Sequence, residues 1–389
     1  MTVRIVLTGD NQLNYYRQRL GWKLGERRRR IGQAWMETVE FALQNQVHLY
    51  LNTGDLFDQV LPRNPPRARV VEAFTRMKEA GIECFVISGN HDGPASAGEG
   101  ASPHGVLQEA GLATVFEDVS GFGSKVVEVE GVQVSVAGMS MDRRLNPDMD
   151  PLGGLEVPGE GDFNIAMLHY GTKSIAPSYM VEAMVDPDSM RKNPHVNLWA
   201  MGHSHTPVEK KLGDSLILYP GATERYDFGE ADNVTGFYYL EADGGEVEFK
   251  HVETKAQPIR QVRVDTLELA GGRPTETLLE VVSSEAMEDG LFRLVLEGEM
   301  PFEDYVKIDF VRLAREGDRR SFYFEYLDKI VPVIEGLERV ASTVLRPEQE
   351  LVSRGAKLVE LADEEERPLW ERALELARGR YEKHAMGEG

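Results

Sequence analysis

The chain has 389 residues, 41% of them apolar, and a formal net charge of −22. That length exceeds what one hydrophobic core usually organises, so a main domain of about 250 residues with one or two smaller units is expected. The negative charge argues against passive attraction of the whole surface to DNA, RNA or anionic lipid and leaves only local patches for such contacts.

Met1 leads straight into a strand-like run without a signal-peptide core, and no apolar stretch reaches transmembrane length. The single cysteine, Cys84, lies in the run Glu83 to Ile87 and reads as a small core residue. Together these predict a cytoplasmic protein. Up to Asp92 the chain alternates strand-like and helix-like segments, the pattern of an α/β domain. Strand-like runs at Arg4 to Leu7, His48 to Leu51 and Glu83 to Ile87 each end in a polar loop. Between them Trp35, Val39 and Leu43 recur at helical spacing, as do Val70, Phe74 and Met77. Arg17, Arg19, Lys23, Arg27, Arg28, Arg29 and Arg30 fall within fourteen residues. They read either as a solvated helix start or as a patch that tracks phosphates.

From residue 125 the texture changes to hairpins: Lys125 to Val129 with Val132 to Ala137, and Val208 to Leu212 with Ser215 to Leu218. A hairpin from Phe237 to Val252 closes the domain, giving a layered α/β/β/α arrangement. Thr254 to Pro258 reads as a linker. Beyond it, Ile259 to Leu267, Thr275 to Met287, Leu291 to Glu297, Phe302 to Ala314 and Arg320 to Tyr326 alternate as strand, helix, strand, helix, strand. After Pro347 come two amphipathic stretches. The second has Asp363 and Glu366 placed as a capping box and carries Trp370. The resulting domains are 1–256, 257–335 and a C-terminal helical segment 336–389.

The loops carry the chemistry. Asp10, the turn Gly54-Asp55-Leu56-Phe57-Asp58, Gly89-Asn90-His91-Asp92, His169, and Gly202-His203-Ser204-His205 supply carboxylate, amide and imidazole groups. Each has a bland alternative. A Gly-Asp pair after a strand is usually a turn, a lone strand-end histidine is usually core, and Asn-His-Asp can cap a helix. Two histidines one residue apart after glycine suit a metal. Five such loops, each after an apolar run, point jointly to metal-assisted phosphodiester hydrolysis.

Gly-Asp-x-x-Asp, Gly-Asn-His-Asp, a strand-end histidine and Gly-His-x-His resemble the calcineurin-like metallophosphoesterase superfamily. Within it, the chain resembles the SbcD-type DNA repair exonucleases, which pair with an SMC-like coiled-coil ATPase of SbcC type. Gly54 to Asp58, Gly89 to Asp92, the Pro258-Ile259 entry and Leu291 to Leu296 carry the likeness, over roughly residues 1 to 330. The resemblance implies a four-layer nuclease domain, a small capping domain that touches DNA, and a C-terminal segment that docks on the ATPase. It implies two divalent cations, most often Mn2+, with Asp55 bridging, Asp10 and His205 on one, and Asn90, His169 and His203 on the other. His91 would act on the leaving oxygen, with Asp92 orienting it.

A homodimer through the helices near Trp35 and Phe74 is also implied. The local basic cluster itself offers Arg17, Arg19, Arg27, Arg28, Arg29 and Arg30 as candidate nucleic-acid contacts. One position departs from the family: its Asp-x-His is here Asp10-Asn11-Gln12, with an amide in place of an imidazole ligand. Three functions follow: a DNA exonuclease or endonuclease in a break-repair complex, a phosphodiesterase or phosphatase on nucleotides or phosphoproteins, or a scaffold subunit silenced by Gln12. For the last segment, a self-packed hairpin is the alternative to docking.

Overall fold

The computed structural model describes residues 2–175, 182–243, 246–269 and 272–333, and beyond them positions 355–356, 359, 362, 367–370, 372–374 and 376–377. Alternation of side chains along the first strand sets the layering. In β1 (Val3–Thr8) Ile5 and Leu7 face one side and Val6 the other. The remaining strands are β2 (Leu49–Asn52), β3 (Glu83–Ile87), β4 (Thr114–Phe116), β5 (Gly123–Val129), β6 (Val132–Met139), β7 (Phe163–Leu168), β8 (Leu198–Met201), β9 (Val208–Leu212), β10 (Ser215–Tyr219), β11 (Gly236–Asp243) and β12 (Glu246–Glu253).

They form two six-stranded sheets, ordered β12-β11-β1-β2-β3-β4 and β5-β6-β7-β8-β10-β9. In the first, β1 to β4 are mutually parallel, and in the second β6, β7, β8 and β10 are. Strands buried on both faces read as nearly continuous apolar runs, as Leu-Tyr-Leu-Asn and Phe-Asn-Ile-Ala-Met-Leu do here.

Ile5, Leu7, Leu51 and Phe85 meet Val134, Val136, Met167 and Leu218 between the sheets. On the outer side of the first sheet, helices α1 (Leu24–Gln44) and α2 (Asn64–Glu79) pack Trp35, Val39, Phe74 and Met77 onto Val6, Tyr50 and Val86. Trp35 and Phe74 are fully buried in this core, so neither side chain presents a surface to a second copy. The far face of the second sheet is covered by Leu152, Val157 and Met190, the last on a helix of only five residues. The fourth layer is therefore thin. Cys84 is buried, as its apolar setting predicts.

A third sheet comprises β13 (Ile259–Asp265), β14 (Leu291–Pro301) and β15 (Tyr323–Val333). Helices Pro274–Glu285 and Phe310–Arg320 share a core with it through Leu278, Val282, Leu294 and Leu313. The predicted helix Phe302 to Ala314 is split, into a single turn Phe302–Tyr305 and a helix Phe310–Arg320 that runs further. The Asp309 side chain accepts the Arg312 N–H, capping a helix that continues to Arg320. Arg320 is thus helical rather than the start of a strand.

The chain divides into two units, one of residues 1–300 with 304–331 and the other of 301–303 with 332–389. In the second, Leu374 lies against Gly355, and most of the predicted docking segment, Pro347 to His384, falls outside the described residues. No described helix is long and apolar enough to cross a membrane.

Candidate metal centre

Every predicted ligand leaves the carboxyl end of a parallel strand, the edge where open α/β sheets present their sites. Asp10 follows β1, Asp55 follows β2, Asn90 follows β3, His169 follows β7, and His203 and His205 follow β8. The loops are zipped together by backbone bonds: Asp10 N–H to the Gly54 carbonyl at 3.0 Å, Gln12 N–H to that of Asp55 at 2.9 Å, and Leu13 N–H to that of Leu56 at 2.8 Å. Asp10, Gln12, Asp55 and His203 all have left-handed backbone, with φ of 49°, 51°, 52° and 82°. Such conformations cost of order 1–3 kcal/mol each and persist where the surroundings over-determine them. Gly89 is required, because a Cβ there would lie 2.2 Å from Asp55 Oδ1.

The side chains converge. Asp10, Asp55 and His169, all buried, each offer a ligand atom within 4.8 Å of the others'. His205 Nε2 lies 3.7 Å from Asp10 Oδ1, and His169 Nε2 3.5 Å from Asp55 Oδ2. Asn90 Oδ1 sits 3.1 Å from His169 Nε2 and 3.0 Å from His203 Nδ1. Gln12 Nε2 donates to Asp55 Oδ2 at 3.0 Å. Asp10 Oδ1 and Gln12 Oε1 are buried with no hydrogen-bond partner among the described residues. Buried acceptors without donors are costly, and a cation at this point would satisfy them. The mixture of carboxylate, amide and imidazole fits a divalent cation that takes oxygen and nitrogen ligands.

The charges agree. Burial raises the Asp10 carboxyl above its ordinary range. Burial also acts to raise that of Asp55, but His169 and His91 hold it below the usual carboxylate value. Burial opposes charging of His169, yet Asp55 and Asp10 raise it to about 9. His205, likewise opposed by burial, is raised to about 9 by Glu230 and Asp10. A divalent cation bound between these groups would compete with protons for the same imidazole and carboxylate atoms.

Two supporting groups carry no sequence signal. Glu230 Oε1 accepts from His205 Nδ1 at 2.6 Å, directing Nε2 at Asp10, and the backbone Thr53 carbonyl does the same for His169 Nδ1 at 2.7 Å. Glu230 ends a turn whose spacing to His205 is unremarkable, so only the fold reveals it. Removing an outer partner of this kind typically weakens metal binding about 10–100-fold. Glu230→Gln is expected to weaken Mn2+ binding by that factor in calorimetric titration; unchanged affinity would mean the ring is held by other contacts.

Asp92 differs from its expected role. Its carboxylate accepts from Gly89 N–H at 2.8 Å and Phe57 N–H at 3.1 Å, and pairs with His104 Nε2 at 2.8 Å. It is fully buried and holds the loops, whereas the half-exposed His91 ring faces Asp58 instead, Nδ1 lying 3.9 Å from Oδ1. His91 Nε2 is 4.0 Å from Asp55 Oδ2, at the rim of the centre.

The basic cluster is also corrected in part. Arg27 is fully buried, paired with Glu224 at 3.1 Å and bonded to Gln257 at 2.9 Å, so it is a core cation rather than a nucleic-acid contact. Arg29 and Arg30 pair with Glu26, Arg30 also with Asp289, and Arg19 lies 3.9 Å from Glu325. Arg28 donates to the Tyr15 carbonyl, and Arg17 lies over the Tyr15 ring.

Residues 3–207 match the family model described as calcineurin-like phosphoesterase. The chain is 29% identical over 254 residues to a DNA double-strand break repair protein Mre11 of Thermoplasma acidophilum, covering 62% of this chain and 64% of that one. It is 23% identical over 352 residues to the Mre11 of Sulfolobus acidocaldarius, covering 88% of each. An uncharacterized metallophosphoesterase, YhaO of Bacillus subtilis, is 25% identical over 271 residues, covering 68% of this chain and 63% of that one. In the first and third alignments the chain spans less than two thirds of the relative's own length.

Proposed function

The chain belongs to the calcineurin-like phosphoesterase family, and on that premise we propose that it is a metal-dependent nuclease that hydrolyses phosphodiester bonds at DNA ends. The observation that carries this is the convergence of Asp10, Asp55 and His169 around buried oxygen atoms that lack donors among the described residues. The DNA substrate is supported by the Mre11 relatives, named for double-strand break repair.

Asp10, Gln12, Asp55, Asn90, His169, His203 and His205 would hold two divalent cations, with Mn2+ the proposed species. When bound, such cations polarise a phosphoryl oxygen and lower the pKa of an attacking water. His91, at the rim with Asp58 beside it, would give a proton to the leaving oxygen. Asp55 accepts the His91 N–H at 2.8 Å, which fixes the loop that carries this ring. Glu230, Thr53 and Asn90 orient the imidazoles. The segment 257–335 is proposed as the capping, DNA-contacting domain. A coiled-coil ATPase and a second copy of the chain are proposed partners.

Gln12 decides between this reading and a silent scaffold. Its Oε1 is an acceptor without a donor among the described residues, so the amide retains a ligand atom for a hard cation. Manganese-dependent degradation of linear DNA, with no turnover of cyclic nucleotides, is the expected result. Gln12→His is expected to shift affinity toward borderline metals such as Co2+ by about tenfold or more relative to Mn2+. Inactivity of both the natural chain and Gln12→His would favour the scaffold.

A further inference from the structure

Beside the metal loops, in the cleft between α1 and α2, lies a pocket of about 250 Å3 lined by Asn14, Arg28, Arg29, Arg63 and Arg69. Four arginines thus line one cavity in a chain of net charge −22. Arg29 is held by Glu26, and Arg28 by the Tyr15 carbonyl. Arg63 and Arg69 have no hydrogen bond or ion pair to a carboxylate among the described residues.

Arg69 reaches the cavity because residue 32 is glycine. A Cβ at Gly32 would lie 2.2 Å from Arg69 Nη1. A separate observation points to a ligand: Asn14 is 5% exposed, lines the cavity, and its buried Nδ2 has no hydrogen-bond partner among the described residues. The first turn of α2, at Pro65 and Pro66, also borders the pocket and carries no acidic residue, so the helix dipole adds positive potential.

We infer that this pocket is a subsite for a tetrahedral phosphate group, whose oxygens accept from several guanidinium N–H groups and a side-chain amide at once. Its position extends the proposed reaction. Asn14 stands two residues after Gln12, and Arg63 five after Asp58, which lies beside His91. A strand with its scissile bond at the metal centre would thus find a seat for a flanking backbone phosphate. That source rests on the nuclease reading; a free phosphate would use the same donors.

The test uses the full chain in EDTA, so that binding is read without hydrolysis. The ligands are a labelled single-stranded oligonucleotide and inorganic phosphate, the latter followed by thermal protection. Arg63→Ala/Arg69→Ala is expected to bind the oligonucleotide at least about tenfold more weakly and to lose about two from the slope of log affinity on log salt. Gly32→Ala, which removes no charge and favours the helix, is expected to give a smaller loss by displacing the Arg69 guanidinium.

Loss of phosphate protection with unchanged oligonucleotide binding would assign the subsite to free phosphate. Equal binding of both ligands by the natural chain and the double variant, or binding of neither by the natural chain, would overturn the subsite. Hydrolysis of bis(p-nitrophenyl) phosphate with Mn2+, expected to be unchanged in both variants, tests the phosphoesterase reading separately.

Discussion

Asp55→Asn should lower the kcat for phosphodiester hydrolysis by about a thousandfold while leaving the fold intact. The side chain is isosteric, so the acceptor for the His91 N–H at 2.8 Å survives. What is lost is one negative charge beside His169 and His91, together with the Oδ2 acceptor for the Gln12 amide. Stabilisation by cations in such a centre is worth several kcal/mol in the transition state, and each 1.4 kcal/mol is a factor of about ten in rate. Steady-state kinetics in saturating Mn2+, with circular dichroism as the control for folding, reads the effect. A variant within tenfold of the natural rate would remove Asp55 from the reaction.

The second large effect falls on stability. Arg27→Met is expected to destabilise the chain by about 3–5 kcal/mol, because it leaves a buried carboxylate without its cation. Glu224 and Arg27 are 1% and 0% exposed, and Glu224 is otherwise bonded to the Gln257 and Arg225 N–H groups. Urea unfolding measures the loss, and a change below about 1 kcal/mol would contradict it. Adding Glu224→Leu should recover part of the stability, since replacing both members of a buried pair by apolar groups is far milder than removing one.

The pair also bears on the metal loops. Tyr226, two residues after Glu224, donates through its hydroxyl to the Asp10 carbonyl at 2.8 Å and through its N–H to Glu230. Arg27→Met should therefore weaken metal binding as well.

The ligand set was legible because each member sits at the end of a strand whose side-chain pattern is local. The loops bring Asp10, Asp55 and His169 together, with His205 beside Asp10 and Asn90 beside His169 and His203. The hairpins around Gly131 and Gly213 were legible for the same reason: turn chemistry acts over a few residues.

What escaped were pairings set by the fold. Asp92 precedes His104 by twelve residues, and Glu230 follows His205 by twenty-five. No periodicity links the members of either pair. Arg27 is an intermediate case. It lies on the buried stripe of α1 with Ile31, Ala34, Thr38 and Ala42. Its sign, shared with the cluster around it, suggested solvent. Only Glu224, distant in sequence, explains how a guanidinium is kept inside.

The proposed reaction requires a cation-binding pocket where β1, β2, β3, β7 and β8 end. Anomalous diffraction from crystals grown with Mn2+ tests it most directly. Two peaks are expected, one touching Asp10, Gln12 and His205, the other Asn90, His169 and His203, with Asp55 between them. Density for manganese elsewhere on the chain and none among these side chains would contradict the account.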